Sequence, residues 1–133
     1  MRLTRRFTAA AFSLATLLSA APSVWAATEK PFTQAAFEAS QQAGKPILVH
    51  IWASWCPTCK AQAPTLSEIE ADPAYKDLVV YTVDFDKQKD AVKALGARIQ
   101  STLIVYHGTV EKGRSAGDTD AGSIKALVAK ANQ

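Results

Sequence analysis

Residues 47–60 read ILVHIWASWCPTCK, and this stretch decides the fold. Its first part, 47–53, is a nearly continuous β-branched and aromatic run, which predicts a central strand buried on both faces. Cys56 and Cys59 follow shortly after it. The pattern then predicts a helix over 61–71. A buried strand therefore delivers a Cys-x-x-Cys segment towards the start of a helix.

Outward from this stretch, the pattern alternates between helix and strand. The other predicted elements are an irregular lead-in at 27–31, a helix at 33–43, a helical turn at 74–77, strands at 78–83, 102–106 and 110–115, a helix at 87–95, and a closing helix from 119 or 120 to 131. The tight turn at 107–109 makes the last two strands an antiparallel hairpin. Helices flanking a mixed sheet follow, and the chain is placed in the α/β class.

The composition is that of one ordinary globular domain. The chain has 133 residues, of which 48% are hydrophobic and 20% are charged. Arg2, Arg5 and Arg6 account for the whole formal net charge of +3, because the other 12 basic residues balance 12 acidic ones. A neutral body without a basic run argues against nucleic-acid binding, which needs clustered lysine and arginine.

Residues 1–26 have the pattern of a cleavable secretory signal peptide. Arginines form a positive start, the run 7–21 carries no charge, and residues 24–26 fit a small-x-small cleavage site before Ala27. The run is short and rich in small residues for a membrane span of about 20 residues, although an uncleaved anchor is the alternative. We therefore expect residues 27–133 to be one soluble domain in the periplasm or an equivalent extracytoplasmic compartment.

The two cysteines are too close together to act mainly as a structural staple. Exported proteins commonly form disulfides. A bridge between Cys56 and Cys59 closes a very small loop, so it removes little entropy from the unfolded chain. Such a bridge suits reversible opening and closing. A structural or metal-binding pair is the alternative interpretation.

Several motifs together resemble the thioredoxin family. They are Trp-Cys-x-x-Cys-Lys after the apolar strand, Pro64 five residues beyond the second cysteine, the hairpin strand 102–106, and Gly117 before the last helix. The resemblance covers essentially all of residues 30–132. It implies a three-layer sandwich in which a mixed sheet of four or five strands lies between helices. It also implies thiol–disulfide exchange with protein substrates, and it implies no cofactor or metal.

The placement of the cysteines suits this chemistry. The attacking group in exchange is a thiolate, so the attacking cysteine needs a depressed pKa. Cys56 lies where strand meets helix, and free N–H groups and the helix dipole favour negative charge there. Cys59 lies one turn further, within reach of a mixed disulfide at Cys56. We assign Cys56 as the nucleophile and Cys59 as the resolving thiol.

The residues next to the cysteines are expected to contact partner proteins and to tune the reduction potential of the disulfide. Pro57 and Thr58, between the cysteines, are expected to tune the redox couple. Their dipeptide matches neither the Gly-Pro of typical thioredoxins nor the Pro-His of the periplasmic oxidase, so it does not indicate a direction of electron flow. We expect Trp55 to cover Cys56 and to offer partners a flat apolar contact; a plain core aromatic is the alternative.

The loop before residue 102 departs from the family pattern. Ser101 stands where thioredoxins carry a cis-proline that faces the cysteines. A non-proline cis bond costs about 2.5–4 kcal/mol, so we expect a trans bond between Gln100 and Ser101. This loop pairs with substrate backbone in the family, so its change puts docking in question. A hydrogen bond from Ser101 to Cys56 is one possible replacement.

Two further departures concern the central strand and the lead-in. His50 stands at the position of the family's buried acid, which relays a proton for the resolving cysteine. An imidazole can do similar work, because it titrates near neutrality. The alternative is a neutral, hydrogen-bonded core histidine, because burial disfavours the imidazolium.

The lead-in before Phe32 is short, so the first edge strand of the family is expected to be absent.

Two functional hypotheses follow. The first is a monomeric periplasmic oxidoreductase that exchanges the Cys56–Cys59 disulfide with protein thiols. If it acts as a reductase, it needs a membrane electron donor, because an oxidising compartment does not regenerate a dithiol. The second is a thioredoxin-fold module that binds copper or another soft metal through the thiolates near His50, since the shielding proline is missing. Only two cysteines are present, whereas a closed zinc site uses four ligands.

Overall fold

A five-stranded mixed sheet runs through the middle of the computed structural model, which describes residues 26–133. In chain order the elements are β1 (Thr28–Pro31), α1 (Gln34–Gln42), β2 (Pro46–Trp52), α2 (Pro57–Ala71), β3 (Val79–Asp84), α3 (Lys89–Ala94), β4 (Thr102–His107), β5 (Val110–Ala116) and α4 (Ala121–Ala129). Short 3-10 turns cover Pro73–Tyr75 and Lys130–Asn132. The strand order is β1-β3-β2-β4-β5. β3 is parallel to β1 and β2, whereas β4 is antiparallel to both β2 and β5.

The run in β2 supplies apolar side chains to both layers of the core. Alternate residues of a strand point to opposite faces. Ile47, Val49 and Ile51 pack with residues of α1 and α3, whereas Leu48 packs with residues of α2 and α4. His50 lies two residues after Leu48, so it faces the α2 layer. Burial on both faces explains why the run does not alternate with polar residues, and the predicted sandwich of helices around a mixed sheet is confirmed.

The lead-in is a strand, so the expectation of an irregular segment without an edge strand was wrong. β1 pairs in parallel with β3. Thr28 N donates to Leu78 O at 2.9 Å, and Phe32 N donates to Thr82 O at 3.2 Å. All the residues of β1 are exposed. Its sequence therefore carries no apolar signal, and the strand is held by backbone hydrogen bonds and by one from Thr82 Oγ1 to Glu29 Oε1 at 3.3 Å.

The helix after the cysteines begins at Pro57 rather than at residue 61. Proline suits the first helical position, because its fixed φ matches the helix and the N–H it lacks would be unpaired there. Cys56 is the N-cap of α2. The Cys-x-x-Cys segment therefore lies within the first helical turn. The remaining predicted helices and strands begin and end within two residues of the observed ones.

The predicted signal peptide falls almost entirely on residues 1–25, which lie outside the described part of the chain. Within residues 26–133, none of the helices combines the length and the apolar character that crossing a bilayer requires.

Candidate active site

The two cysteines lie at the junction of β2 and α2 and form a disulfide. Their Cα atoms are 5.3 Å apart. Cys56 is 0% exposed and Cys59 is 1% exposed. The disulfide is therefore almost fully covered in this conformation.

The surroundings of the two sulfur atoms differ in polarity. The N–H of Cys59 donates to Sγ of Cys56 at 3.0 Å, which is the capping bond of α2. Sγ of Cys59 instead lies 4.0 Å from the carbonyl oxygen of Ile51, which accepts a hydrogen bond from the Cys59 thiol once the disulfide is reduced. An N–H donor at a helix N-terminus favours a thiolate, whereas a carbonyl favours the protonated thiol. The polarity of the site therefore distinguishes Cys56 from Cys59.

Aromatic side chains pack against the cysteine pair. Cys56, Cys59 and Ala53 form a small buried cluster, and Trp52 and Phe85 pack against it. Phe85 was not singled out in the sequence, because it follows β3 and is far from the cysteines along the chain. Its approach to the pair depends on the parallel pairing of β2 with β3.

Trp55 lies at the surface beside the disulfide. Its side chain is 54% exposed, so the alternative of a plain core aromatic was wrong. Its indole Nε1 donates to Oδ2 of Asp86 at 2.7 Å. The hydrogen bond ties the cysteine loop to the loop after β3. It holds a large apolar face in solvent next to Cys56.

The two residues between the cysteines differ in exposure. Pro57 is exposed at the first position of α2, and Thr58 is half-buried. Within residues 26–133, the hydroxyl of Thr58 makes no hydrogen bond. It is therefore available to a group that arrives at the helix start.

The loop at Ser101 lies beside the cysteines and is fixed by its backbone. The described residues contain no cis peptide bond, so the expected trans bond before Ser101 is confirmed. Ser101 N donates to Ile51 O at 2.7 Å, the same carbonyl that Cys59 Sγ faces. Its hydroxyl donates to Gln100 O, and it makes no hydrogen bond to Cys56. Ser101 also has a φ of 59°, which places it in the left-handed region.

Gln62 holds this loop against α2. Gln62 is 0% exposed, and its Nε2 donates to the carbonyls of Ser101 at 3.1 Å and Asp118 at 2.8 Å. A buried side-chain amide with two carbonyl partners joins three segments that are distant in sequence. Sequence analysis missed it, because one glutamine in a helix looks like a surface residue until the packing of the helix is known.

His50 lies on the α2 side of the sheet, lines a cavity together with Cys59 and is 7% exposed. Burial lowers its pKa from the ordinary value of 6.5 to about 4, although the hydrogen-bonding side chain of Gln62 acts in the opposite direction. Neither His50 Nε2 nor Gln62 Oε1 has a partner with full hydrogen-bond geometry. The imidazole is therefore neutral at neutral pH.

Comparison with known proteins decides the family. The sequence model of the family described as Thioredoxin matches residues 28–130. This chain belongs to the thioredoxin family. Together with the Cys-x-x-Cys disulfide, this membership makes the protein a thioredoxin-fold thiol–disulfide oxidoreductase.

Individual thioredoxin-family proteins match parts of the chain. Thioredoxin of Alicyclobacillus acidocaldarius subsp. acidocaldarius is 34% identical over 76 residues, which are 57% of this chain and 71% of that protein. The thiol:disulfide interchange protein DsbE of Pasteurella multocida is 40% identical over 55 residues, which are 41% of this chain and 28% of that protein. The crystal structure of Trxlp from Edwardsiella tarda EIB202 is 40% identical, with a TM-score of 0.74 over 76% of this chain and 98% of that one.

The left-handed backbone of Ser101 predicts a difference between two small substitutions. A side chain with Cβ in this region costs about 1–2 kcal/mol, a cost that glycine does not have. Ser101→Gly is therefore expected to have a free energy of unfolding about 1 kcal/mol larger than that of Ser101→Ala. Urea unfolding of the two oxidised variants measures the difference. Equal stabilities would show that this backbone conformation costs nothing.

Proposed function

We propose that this protein acts in the periplasm or an equivalent compartment, exchanging its Cys56–Cys59 disulfide with thiols of protein substrates. Cys56 is the nucleophile and Cys59 is the resolving thiol. The observation that carries this assignment is the polarity of the site. Cys56 Sγ accepts the N–H of Cys59 at the start of α2, whereas Cys59 Sγ faces the carbonyl of Ile51.

In the reducing direction the reaction has two displacements. The Cys56 thiolate attacks a substrate disulfide, a mixed disulfide forms, and one substrate thiolate leaves and takes up a proton. Cys59 loses its proton to solvent and attacks Sγ of Cys56. The Cys56–Cys59 disulfide forms and the second substrate thiolate leaves. Two electrons pass to the substrate, and a dithiol donor must supply them again; in the oxidising direction the steps run in reverse.

The compartment is proposed from the sequence of residues 1–26. A charged start, an uncharged apolar run and a small-x-small site before Ala27 are typical of an export signal. In an oxidising compartment a reductase needs an electron donor in the membrane, whereas an oxidase needs an acceptor. We propose that the protein works as a monomer.

The residues around the disulfide are proposed to support exchange without entering it. Trp55 offers an exposed apolar face to the substrate, with its indole fixed by Asp86. Pro57 and Thr58 tune the potential at the helix start. Ser101 positions its loop through backbone bonds, and its carbonyl is already occupied by the N–H of Gly117 and the amide of Gln62.

The reduction potential of the Cys56–Cys59 pair tests the proposed function. Equilibration of the purified protein with glutathione or dithiothreitol redox buffers measures this potential. We expect a reversible two-electron couple between about −270 mV, as in a reductant, and about −120 mV, as in an oxidant. The position within this range gives the direction of electron flow. A protein that forms no reversible couple would overturn the proposal.

No observation favours the alternative of a copper or other soft-metal module. Within residues 26–133, no group of three or more histidine, cysteine, aspartate or glutamate residues is arranged to hold a metal ion. His50 is buried and lines a cavity with Cys59, but these two residues and Cys56 do not form such a group. The hypothesis therefore depends on the two thiolates alone. Copper titration of the reduced protein tests it directly.

A further inference from the structure

A basic cleft lies between α3 and the loop that follows it. Its volume is about 530 Å³. Three cations line it, namely Lys89, Lys93 and Arg98, and the apolar side chains of Phe85, Val92 and Ala97 lie between them. Among residues 26–133, no acidic side chain lines this basic cleft. Its lining therefore combines apolar surface with positive charge.

The three cations of the basic cleft are available to a partner. All three are exposed. Within residues 26–133 they form no ion pair and donate no side-chain hydrogen bond. A neighbouring cation shows the contrast, because Arg114 is held by Glu111 at 2.6 Å and by the carbonyls of Leu95 and Gly96. Residues 27–133 are neutral overall, so this cluster is a local concentration of uncompensated charge.

The basic cleft adjoins the disulfide. Phe85 both lines the cleft and packs against the cluster that contains Cys56 and Cys59. On the other side, Arg98 is followed by Ile99, which is 45% exposed, and then by the Ser101 loop beside Ile51. A polypeptide whose sulfur reacts at Cys56 would therefore pass next to the cleft.

We propose that the basic cleft binds an acidic segment of the protein substrate, close to the cysteine that reacts with Cys56. This inference rests on the proposed function, and it names the class of substrate. Charge complementarity identifies the occupant, because aspartate or glutamate side chains match the three cations and an adjacent apolar residue fits between Phe85 and Val92. The apolar lining and the position beside the disulfide favour a segment of the protein substrate over an anionic membrane surface.

Two charge-neutralised variants test this inference. One is K89Q/K93Q/R98Q. The control is K45Q/K112Q/K130Q, which removes the same charge at the opposite end of the sheet. Lys45 precedes β2, whose other end carries the cysteines; Lys112 lies near the start of β5; Lys130 Nζ lies beside Gly113. Circular dichroism and thermal unfolding establish that both variants are folded.

The substrates are two peptides with the same internal disulfide, flanked by glutamates in one and by glutamines in the other. With dithiothreitol as the electron donor, we expect the cleft variant to reduce the glutamate peptide with a kcat/KM about tenfold lower than that of the wild-type protein, through a higher KM. The cleft variant should reduce the glutamine peptide with nearly the wild-type kcat/KM. The control variant should reduce both peptides with nearly the wild-type kcat/KM. Raising the ionic strength from about 0.01 M to about 1 M, which shortens the Debye length from about 30 to about 3 Å, should remove the difference.

Other outcomes separate the inference from the proposed function. Equal kcat/KM values for the two peptides with the wild-type protein would overturn the inference, as would an equal loss in the control variant. Binding of the wild-type protein to phosphatidylglycerol vesicles, lost in the cleft variant while the peptides show no preference, would assign the cleft to a membrane and overturn it too. If the wild-type protein does not exchange with dithiothreitol itself, the proposed function fails first.

Discussion

Substitution of Cys56 by serine is expected to abolish thiol–disulfide exchange, whereas substitution of Cys59 is expected to trap the protein on its substrate. Without Cys56 the helix N-terminus has no thiolate to stabilise, and the remaining thiol at Cys59 faces a carbonyl oxygen. Without Cys59, the first displacement proceeds and the second has no nucleophile. The two variants differ by one sulfur each, yet opposite products are expected.

Mass spectrometry under non-reducing conditions distinguishes these products. The reduced Cys59→Ser variant, mixed with a peptide dimer whose two chains are joined by one disulfide, should gain the mass of one chain while the other leaves as a free thiol, and dithiothreitol should remove that mass. The Cys56→Ser variant should gain none. Ser54→Ala, an exposed neighbour in the same loop, serves as the matched control and should turn over normally. Adduct formation by Cys56→Ser but not by Cys59→Ser would reverse the assignment of the two roles.

The central strand and the cysteine segment were predictable because their signals are local. The β-branched and aromatic run 47–53 favours a strand with cover on both faces, and β2 is observed at Pro46–Trp52. β1 could not be predicted, because its residues, Thr28–Pro31, do not alternate between apolar and polar. An exposed edge strand can pair through its backbone hydrogen bonds without such a pattern. Local chemistry therefore predicts the interior of this sheet and not its border.

The residues that surround the cysteines were less predictable, because folding brings them together from distant segments. Phe85 reaches the disulfide through the pairing of β2 with β3, and Gln62 is distinguished only by its two carbonyl partners. Lys89 and Lys93 are four residues apart on one helix, but Arg98 joins them only through the turn after α3. Motif spacing identified the reacting atoms, whereas the surfaces that select substrates and the contacts that hold the loop needed the fold.

The low pKa of His50 argues against a proton relay. Burial lowers the pKa of His50 to about 4, so its imidazole is a poor acceptor for the proton of the Cys59 thiol at neutral pH. Hydroxide from the solvent can accept the proton of the Cys59 thiol instead, and its concentration rises with the pH. We therefore propose that His50 is a neutral packing residue, and that its titration affects stability and not exchange.

Substitution of His50 by leucine is therefore expected to remove a loss of stability in acid. The imidazole binds its proton near pH 6.5 in the unfolded chain but only near about pH 4 in the folded one. Between these values the unfolded state holds more protons, so the free energy of unfolding falls as the pH falls, by about 3 kcal/mol in total. Below about pH 4 both states are protonated and the loss stops.

Urea unfolding of the oxidised wild-type and His50→Leu proteins across this pH range measures the effect as a difference, so that the other titrating groups cancel. The two curves should lie within about 1 kcal/mol of each other at neutral pH, because the polar contact that His50 loses within residues 26–133 is the one with the Gln62 side chain, which lacks full hydrogen-bond geometry. They should separate by about 3 kcal/mol at pH 4, with the wild-type protein the less stable. Parallel curves would show that His50 keeps an ordinary pKa in the folded protein. A changed pH profile of dithiothreitol exchange in the variant would restore the relay, since a packing residue alters stability without moving that profile.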